Sequence, residues 1–345
     1  MADPTDDPRR RRIVAVWLFV VCVCVYLMIV LGGATRLTES GLSIVEWKLV
    51  MGSLPPFSEA DWQQVFAEYR TSPQYQQINR GMSLDEFKGI FWLEFIHRLW
   101  GRLIGLVYAL PLAFFWWRGW VNGALKGKLA FALLLGAGQG LLGWLMVKSG
   151  LVDDPRVSPY RLMAHLGLGV LIYGYLFWFA ASLIPGPGVG KGDATIARRA
   201  LALAALVFVT ALSGALVAGL DAGMAYNTFP LMAGRLIPDN YLAQGATLAT
   251  MFENIAAVQF NHRVLATVTV AAAVLFGLNL RRAPAGSGLR SAIALVPLAG
   301  ALQYSLGIAT LLLHVPVSLG VAHQGMAVLL LTAALWAARV AWIRA

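Results

Sequence analysis

The sequence predicts an all-α polytopic membrane protein: eight transmembrane helices arranged as two pseudo-repeated four-helix bundles, with both termini on the inner side. Three observations carry this. Of the 345 residues, 59% are hydrophobic and only 13% are charged. Eight apolar runs, roughly 13–33, 90–117, 129–147, 161–184, 200–219, 253–280, 291–313 and 318–341, each approach the ~20 residues that cross a hydrocarbon core. The histidines, glutamines and glycines of the first four runs recur in the last four. The runs mix Gly, Ala and Leu, which suits close helix contact, and lack the two-residue alternation of a membrane barrel.

Charge orients the runs. The net charge of +10 invites a nucleic-acid partner, but its distribution excludes one. Arg9, Arg10, Arg11 and Arg12, then Arg118, Lys126 and Lys128, then Lys191, Arg198 and Arg199 fall on one predicted side. Arg281, Arg282, Arg290, Arg339 and Arg344 follow on that side, making fifteen of the 27 basic residues. Only Asp3, Asp6, Asp7 and Asp193 share it among the acids. The positive-inside rule makes this side the cytoplasm or an equivalent matrix.

The elements follow in order. Residues 1–12 read as a polar cytoplasmic tail, and residues 13–184 as the N-terminal four-helix unit. No cleaved signal is expected, since the first apolar run is long and no small-residue cleavage site follows it. Cys22 and Cys24 lie within that run, two positions apart and on different helix faces, which favours packing over a disulfide or metal role. The outer segment 34–89 carries Pro55-Pro56 and aromatics including Trp47, Phe57, Trp62, Phe66, Tyr69 and Tyr75. Stretches 58–70 and 83–90 read as interfacial amphipathic helices, and so long a segment is expected to cap the bundle.

The second run opens on FWLEFIHRLWGR, Phe91 to Arg102, the third holds Gln139 and Gly143, and the fourth begins with His165. A Pro/Gly-rich inner linker, 185–199, leads to the C-terminal unit, 200–345. There Gln259-Phe-Asn-His262-Arg263 replays Glu94-Phe-Ile-His97-Arg98, Gln303 to Gly307 replays Gln139 to Gly143, and Ala322-His323-Gln-Gly325 replays Ala164 to Gly167. Ser213-Gly214-Ala215 resembles Gly32-Gly33-Ala34, and Gly223 resembles Gly41. His97 to Gln139 is 42 residues and His262 to Gln303 is 41. An even number of spans per repeat makes the two units parallel.

Polar groups at membrane depth are costly and mark function. Four of the five histidines, His97, His165, His262 and His323, fall near the outer ends of alternate spans. Two imidazoles facing across a four-helix bundle suit the axial positions of haem iron, and Arg98, Arg102 and Arg263 suit haem propionates. The competing reading is hydrogen-bonding or proton-relay histidines. Zinc or copper is disfavoured, because no cysteine and no tight histidine cluster adds ligands. His314, before Val315-Pro316, has no repeat partner and reads as incidental, while Gln139, Gln303 and the paired glycines read as packing residues. Glu94 and His97, three apart, share a helix face. Because the second unit has Gln259 instead, the carboxylate points to chemistry in the first unit, by proton transfer or charge stabilisation. The competing reading is a structural ion pair with Arg98 or Arg102.

These residues sit in longer stretches: GGATRLTESGLSIVEWK (32–48), DWQQVFAEYRTSPQY (61–75), EFKGIFWLEFIHRLWGR (86–102), QGLLGWLMVKSGL (139–151), DAGMAYNTFPLM (221–232) and NHR (261–263). Together they resemble the haem A synthase family, in its mitochondrial and alphaproteobacterial type, across nearly the whole chain. The resemblance implies oxidation of a haem O methyl to the formyl group of haem A through hydroxylated intermediates. By motif, His97 and His165 would hold the substrate haem, with Glu94 catalytic, and His262 and His323 would hold a haem b that relays electrons. It further implies an electron donor of ferredoxin-like or quinol type, contact with haem O synthase and cytochrome c oxidase assembly factors, and room for a homo-oligomer. The setting would be a bacterial inner membrane or its mitochondrial equivalent, with the haem sites toward the outer side. Some bacterial members carry a cysteine pair in the outer loop; segment 34–89 has none, so a thiol role there is excluded. The rival readings are a non-catalytic di-haem b-type cytochrome passing electrons from quinol, and a transporter using histidines as a proton relay.

Overall fold

The computed structural model describes residues 7–45, 54–150, 155, 157–184, 193–243, 245, 247–283 and 287–342. Trp47, residues 1–6 of the expected tail and residues 185–192 of the expected linker lie outside the described residues. The helices are α1 (Pro8–Leu37), α2 (Glu59–Arg70), α3 (Pro73–Gln77), α4 (Leu84–Trp117), α5 (Gly123–Gly150) and α6 (Pro159–Leu183). They continue with α7 (Ala194–Gly219), α8 (Leu248–Glu253), α9 (Ile255–Gly277), α10 (Gly288–Leu312) and α11 (Val317–Trp342). Among the described residues eight helices are long and apolar enough to cross a membrane, and no extended strand is present.

Helix starts follow local chemistry. The Asp7 carboxylate accepts the Arg9 N–H at 2.8 Å, so α1 begins at Pro8, inside the stretch expected as tail. Asp193 accepts from Thr195 and Ile196, so α7 begins at Ala194, inside the expected linker. Stretch 83–90 is not a separate interfacial helix. Ser83 and Glu86 form a capping box, and the helix that starts there runs on as α4.

Helices α1, α6, α7 and α11 form the centre; α4 lies on α1, α5 on α6, α9 on α7, and α10 on α9 and α11. Small residues permit this. Ala180, Ala181, Ala197, Ala200, Ala334 and Ala338 are fully buried, where Ala lets backbones approach closely. On α1 the buried set Val14, Leu18, Val21, Cys22, Val25 and Ile29 keeps to one face, while Cys24 is only partly buried. Both cysteines are free. Tyr173 on α6 and Thr332 on α11 join their hydroxyls at 2.8 Å across the centre.

The basic helix ends meet at one pole. Arg10 stacks over Trp120, Lys128 over Phe179, Arg199 donates to Asn279 at 2.7 Å, and Arg339 reaches the Ala181 and Ser182 carbonyls. At the other pole the capping helices dock on the first turns of α4. Phe87, fully buried, stacks with Tyr69 at 5.0 Å and meets Phe66 at 5.1 Å. Trp62 packs edge-on against Phe91.

Candidate functional site

The polar pole carries two matched frames. After α1 the chain turns through Glu39, at φ 53°, into a 3₁₀ turn over Ser40–Leu42; after α7 it turns through Asp221, at φ 50°, into one over Ala222–Met224. The first turn closes with Ser43 N–H on the Ser40 carbonyl and the second with Ala225 N–H on the Ala222 carbonyl, both at 3.2 Å. The next residue is gripped by an arginine in both cases. Arg98 donates to the Ile44 carbonyl at 2.8 Å, and Arg263 to the Tyr226 carbonyl at 2.6 Å.

The frames differ most at the side chain the arginine holds: Glu94 in the first and Gln259 in the second. Glu94, only 2% exposed, accepts on Oε2 from the Ser43 hydroxyl at 2.7 Å and the Ile44 N–H at 2.8 Å, and on Oε1 from Arg98. A buried carboxylate is tolerable when so satisfied. The Glu94–Arg98 ion pair, i to i+4, is itself nearly buried. Gln259, equally buried, makes only a 3.4 Å contact to the Tyr226 carbonyl and receives Arg263 at 3.4 Å.

Each of the four histidines, His97, His165, His262 and His323, is partly buried and lies over a glycine of a neighbouring helix. A Cβ added at Gly32 would stand 3.3 Å from His97, at Gly143 3.1 Å from His165, at Gly214 3.1 Å from His262, and at Gly307 2.8 Å from His323. Gly33 lies instead against Gln324, whose amide donates to the Ile29 carbonyl at 2.6 Å. The sequence alignment of Gly33 with Gly214 is therefore one residue out of register: Gly32 and Gly214 hold the same position. His97 lies within electrostatic range of His165, and His262 of His323, so the two histidines of each half share one region of the structure.

These pairs suit a haem. Nδ1 of His165 and Nδ1 of His323 are buried without a hydrogen-bond partner, which leaves one nitrogen of each ring uncommitted. Two imidazoles satisfy the axial positions of a haem, whereas a bare ion needs more ligands. Among the described residues no group of three or more His, Cys, Asp or Glu comes together to hold an ion. The second pair is partly tied down, since the Ser213 hydroxyl lies 2.8 Å from His262 Nδ1.

The arginines have a role that the sequence reading did not include. Arg98 and Arg263 hold loop carbonyls, Arg263 also reaching Thr228 at 2.8 Å. Arg102 lies one turn further along α4 and is partly buried. Arg36 bridges the halves, donating to the Ala218 carbonyl at 2.7 Å and to Asp221 at 3.0 Å. His314 sits at φ 61° in the turn between α10 and α11. Ser43, Ile44 and Arg36 carry contacts that no motif in the sequence isolates, and Ser213, known there only as part of a repeated Ser-Gly-Ala, meets His262. The matched positive-φ acids, Glu39 and Asp221, are the signal that would have aligned the frames.

Comparison with known proteins gives the chain a family. A family profile described as COX15-CtaA, cytochrome oxidase assembly protein, matches residues 15–335. The chain is 49% identical over 326 residues to "Heme A synthase" of Nitrosospira multiformis, covering 94% of this chain and 92% of that one. It is 50% identical over 331 residues to "Heme A synthase" of Paramagnetospirillum magneticum, covering 94% and 93%. It is 44% identical over 340 residues to "Heme A synthase COX15" of Arabidopsis thaliana, covering 95% and 74%. Eight membrane-length helices, two matched polar frames and near full-length similarity lead to one conclusion: the chain belongs to the COX15-CtaA family of cytochrome oxidase assembly proteins.

Proposed function

We propose that this chain is an integral membrane oxidoreductase that converts haem O to haem A, in support of cytochrome oxidase assembly. Substrate haem O is held in the N-terminal unit, 13–184, by His97 and His165, with Glu94 catalytic and Arg98 and Arg102 alongside. A resident haem b is held in the C-terminal unit, 200–345, by His262 and His323, beside Arg263. The observation that carries this reading is the asymmetry between frames of the same backbone design: a carboxylate with three donors in one, an amide in the other.

Packing supports the division of roles. In the second unit α10 presses on α9 so closely that a Cβ at Gly300 would come within 2.9 Å of Ala273. In the first, nothing lies within 4 Å of that position at Gly105 on α4 or at Gly136 and Gly140 on α5. A tight seam suits a resident group and a loose one suits a substrate that must enter and leave.

Oxidising a methyl to a formyl group removes four electrons, and haem iron supplies the redox chemistry. The side chains of the chain do the rest. Gly32 and Gly143 let the first imidazole pair approach, and the Arg98 grip closes the Ser43–Ile44 strap over the outer end of α4. A carboxylate has about four acceptor sites, and three donors occupy Glu94. One site is left to take a proton, to accept from a substrate hydroxyl, or to face a developing positive charge.

The positive-inside rule supports reading the basic pole as the cytoplasmic or matrix side; on that reading both termini lie inside and both haem sites face the outer side of a bacterial inner membrane or its mitochondrial equivalent. Electrons come from a ferredoxin-like or quinol donor, and haem O synthase and oxidase assembly factors are the expected partners.

Extraction of the pigments of the purified protein, with chromatography, mass and a reduced spectrum, tests the reading. Haem b accompanied by haem O, a hydroxylated intermediate or haem A is expected. Haem b alone, persisting when haem O, reductant and oxygen are supplied, would replace it with the electron-transfer cytochrome. No haem at all would leave the proton-relay transporter.

A further inference from the structure

We propose that Ser43 is a positioning residue for haem O oxidation, acting through Glu94. The proposal rests on the functional reading above and adds a residue to it. Ser43 is 2% exposed, and its hydroxyl lies 2.7 Å from Glu94 Oε2 and 3.3 Å from the Ile90 carbonyl. A hydroxyl has one proton to donate. The shorter contact, to a carboxylate, takes it, because such bonds are short and roughly twice as strong as neutral ones.

The second frame shows that the loop does not need this hydroxyl. Ala225 occupies the matching place, closes a matching turn with an equal 3.2 Å N–H to carbonyl bond, and leads to a residue gripped by the matching arginine, Arg263. Hydroxyl and carboxylate are thus present together in one frame and absent together in the other. The serine serves the carboxylate, and the fold of the strap is complete without it.

The bonds around Glu94 explain what the serine does. Arg98 fixes Oε1, while Ser43 and the Ile44 N–H converge on Oε2. The terminal torsion of a glutamate is broad, so a carboxylate swings unless both oxygens are held. Removing the hydroxyl leaves Oε2 with the backbone donor alone, so the group is held at both oxygens but less tightly at Oε2, and it tilts from the geometry the reaction needs. A misplacement of about 1 Å costs on the order of 100-fold in rate.

The test compares Ser43→Ala and Ser43→Thr with the wild-type holoprotein, supplied with haem O, reductant and oxygen. Ser43→Ala is expected to bind both haems in the wild-type ratio with an unchanged reduced spectrum and an unchanged KM for haem O. Its kcat should fall about 10- to 100-fold, with a larger share of product stopping at the hydroxylated stage, and Ser43→Thr should recover most of the rate. Wild-type kcat in Ser43→Ala would overturn the proposal. So would a loss of haem binding that parallels the loss of activity, which marks a merely structural residue. A wild-type protein that binds haem O and forms no haem A would instead overturn the functional reading.

Discussion

Replacing Gly307 by Ala tests whether the glycines set the histidines. The new methyl would stand 2.8 Å from His323 Cε1, against the ~3.5 Å at which carbon atoms rest. The ring must therefore retreat by about 0.7 Å. Metal–ligand distances tolerate roughly 0.2 Å, so the shift is more than three times what ligation allows. Alanine is also the better helix former by about 1 kcal/mol, so α10 itself should not weaken and the loss should be confined to the haem. The assay is the haem-to-protein ratio and reduced spectrum of the purified variant. Gly307→Ala should lose the haem of the second unit. Gly143→Ala and Gly214→Ala, at 3.1 Å, should be milder, and Gly32→Ala, at 3.3 Å, mildest. Gly140→Ala, with nothing within 4 Å, should leave the pigment unchanged. A Gly307→Ala protein with full haem and an unaltered spectrum would refute the reasoning.

Three further outcomes are expected. Glu94→Gln gives the first frame the amide of the second; it should keep both haems in the spectrum and lose haem O conversion, and an active variant would end the catalytic assignment. Phe87→Ala removes a fully buried ring beneath the capping helices, at a cost of about 3–5 kcal/mol. Limited proteolysis should then cut the 54–83 segment faster, and an unchanged rate would show that the cap is held elsewhere. The Asp61 carboxyl is drawn below its ordinary 3.8 by the Ser58 backbone and side chain at the start of α2. A depressed value stabilises the folded cap above 3.8 and is lost as pH falls through the lower, folded value. An NMR titration placing Asp61 at or above 3.8 would contradict the capping box.

The spans, the basic pole and the residues of the two frames were legible in the sequence for local reasons. Hydropathy over ~20 residues records the cost of burying a backbone segment in lipid, and the Arg and Lys runs record which ends stay in water. Glu94 against Gln259 was visible because the surrounding His-Arg pair repeats. The helix starts at Pro8 and Ala194 were missed although Asp7 and Asp193 announced them, since hydropathy alone places a boundary where polarity begins, whereas capping places it at the residue that satisfies the first N–H groups.

What the sequence by itself determined is thus the membrane class, the number of long helices and which side chains are chemically unusual. The tertiary structure alone decided that His97 comes within electrostatic range of His165 and His262 of His323, that Gly32 rather than Gly33 matches Gly214, that Arg98 and Arg263 hold loops, and that Ser43 meets Glu94. Each of these joins residues dozens of positions apart. Their energies arise only once packed helices bring the groups within a few ångströms, and a contact of that kind leaves no periodic trace along the chain.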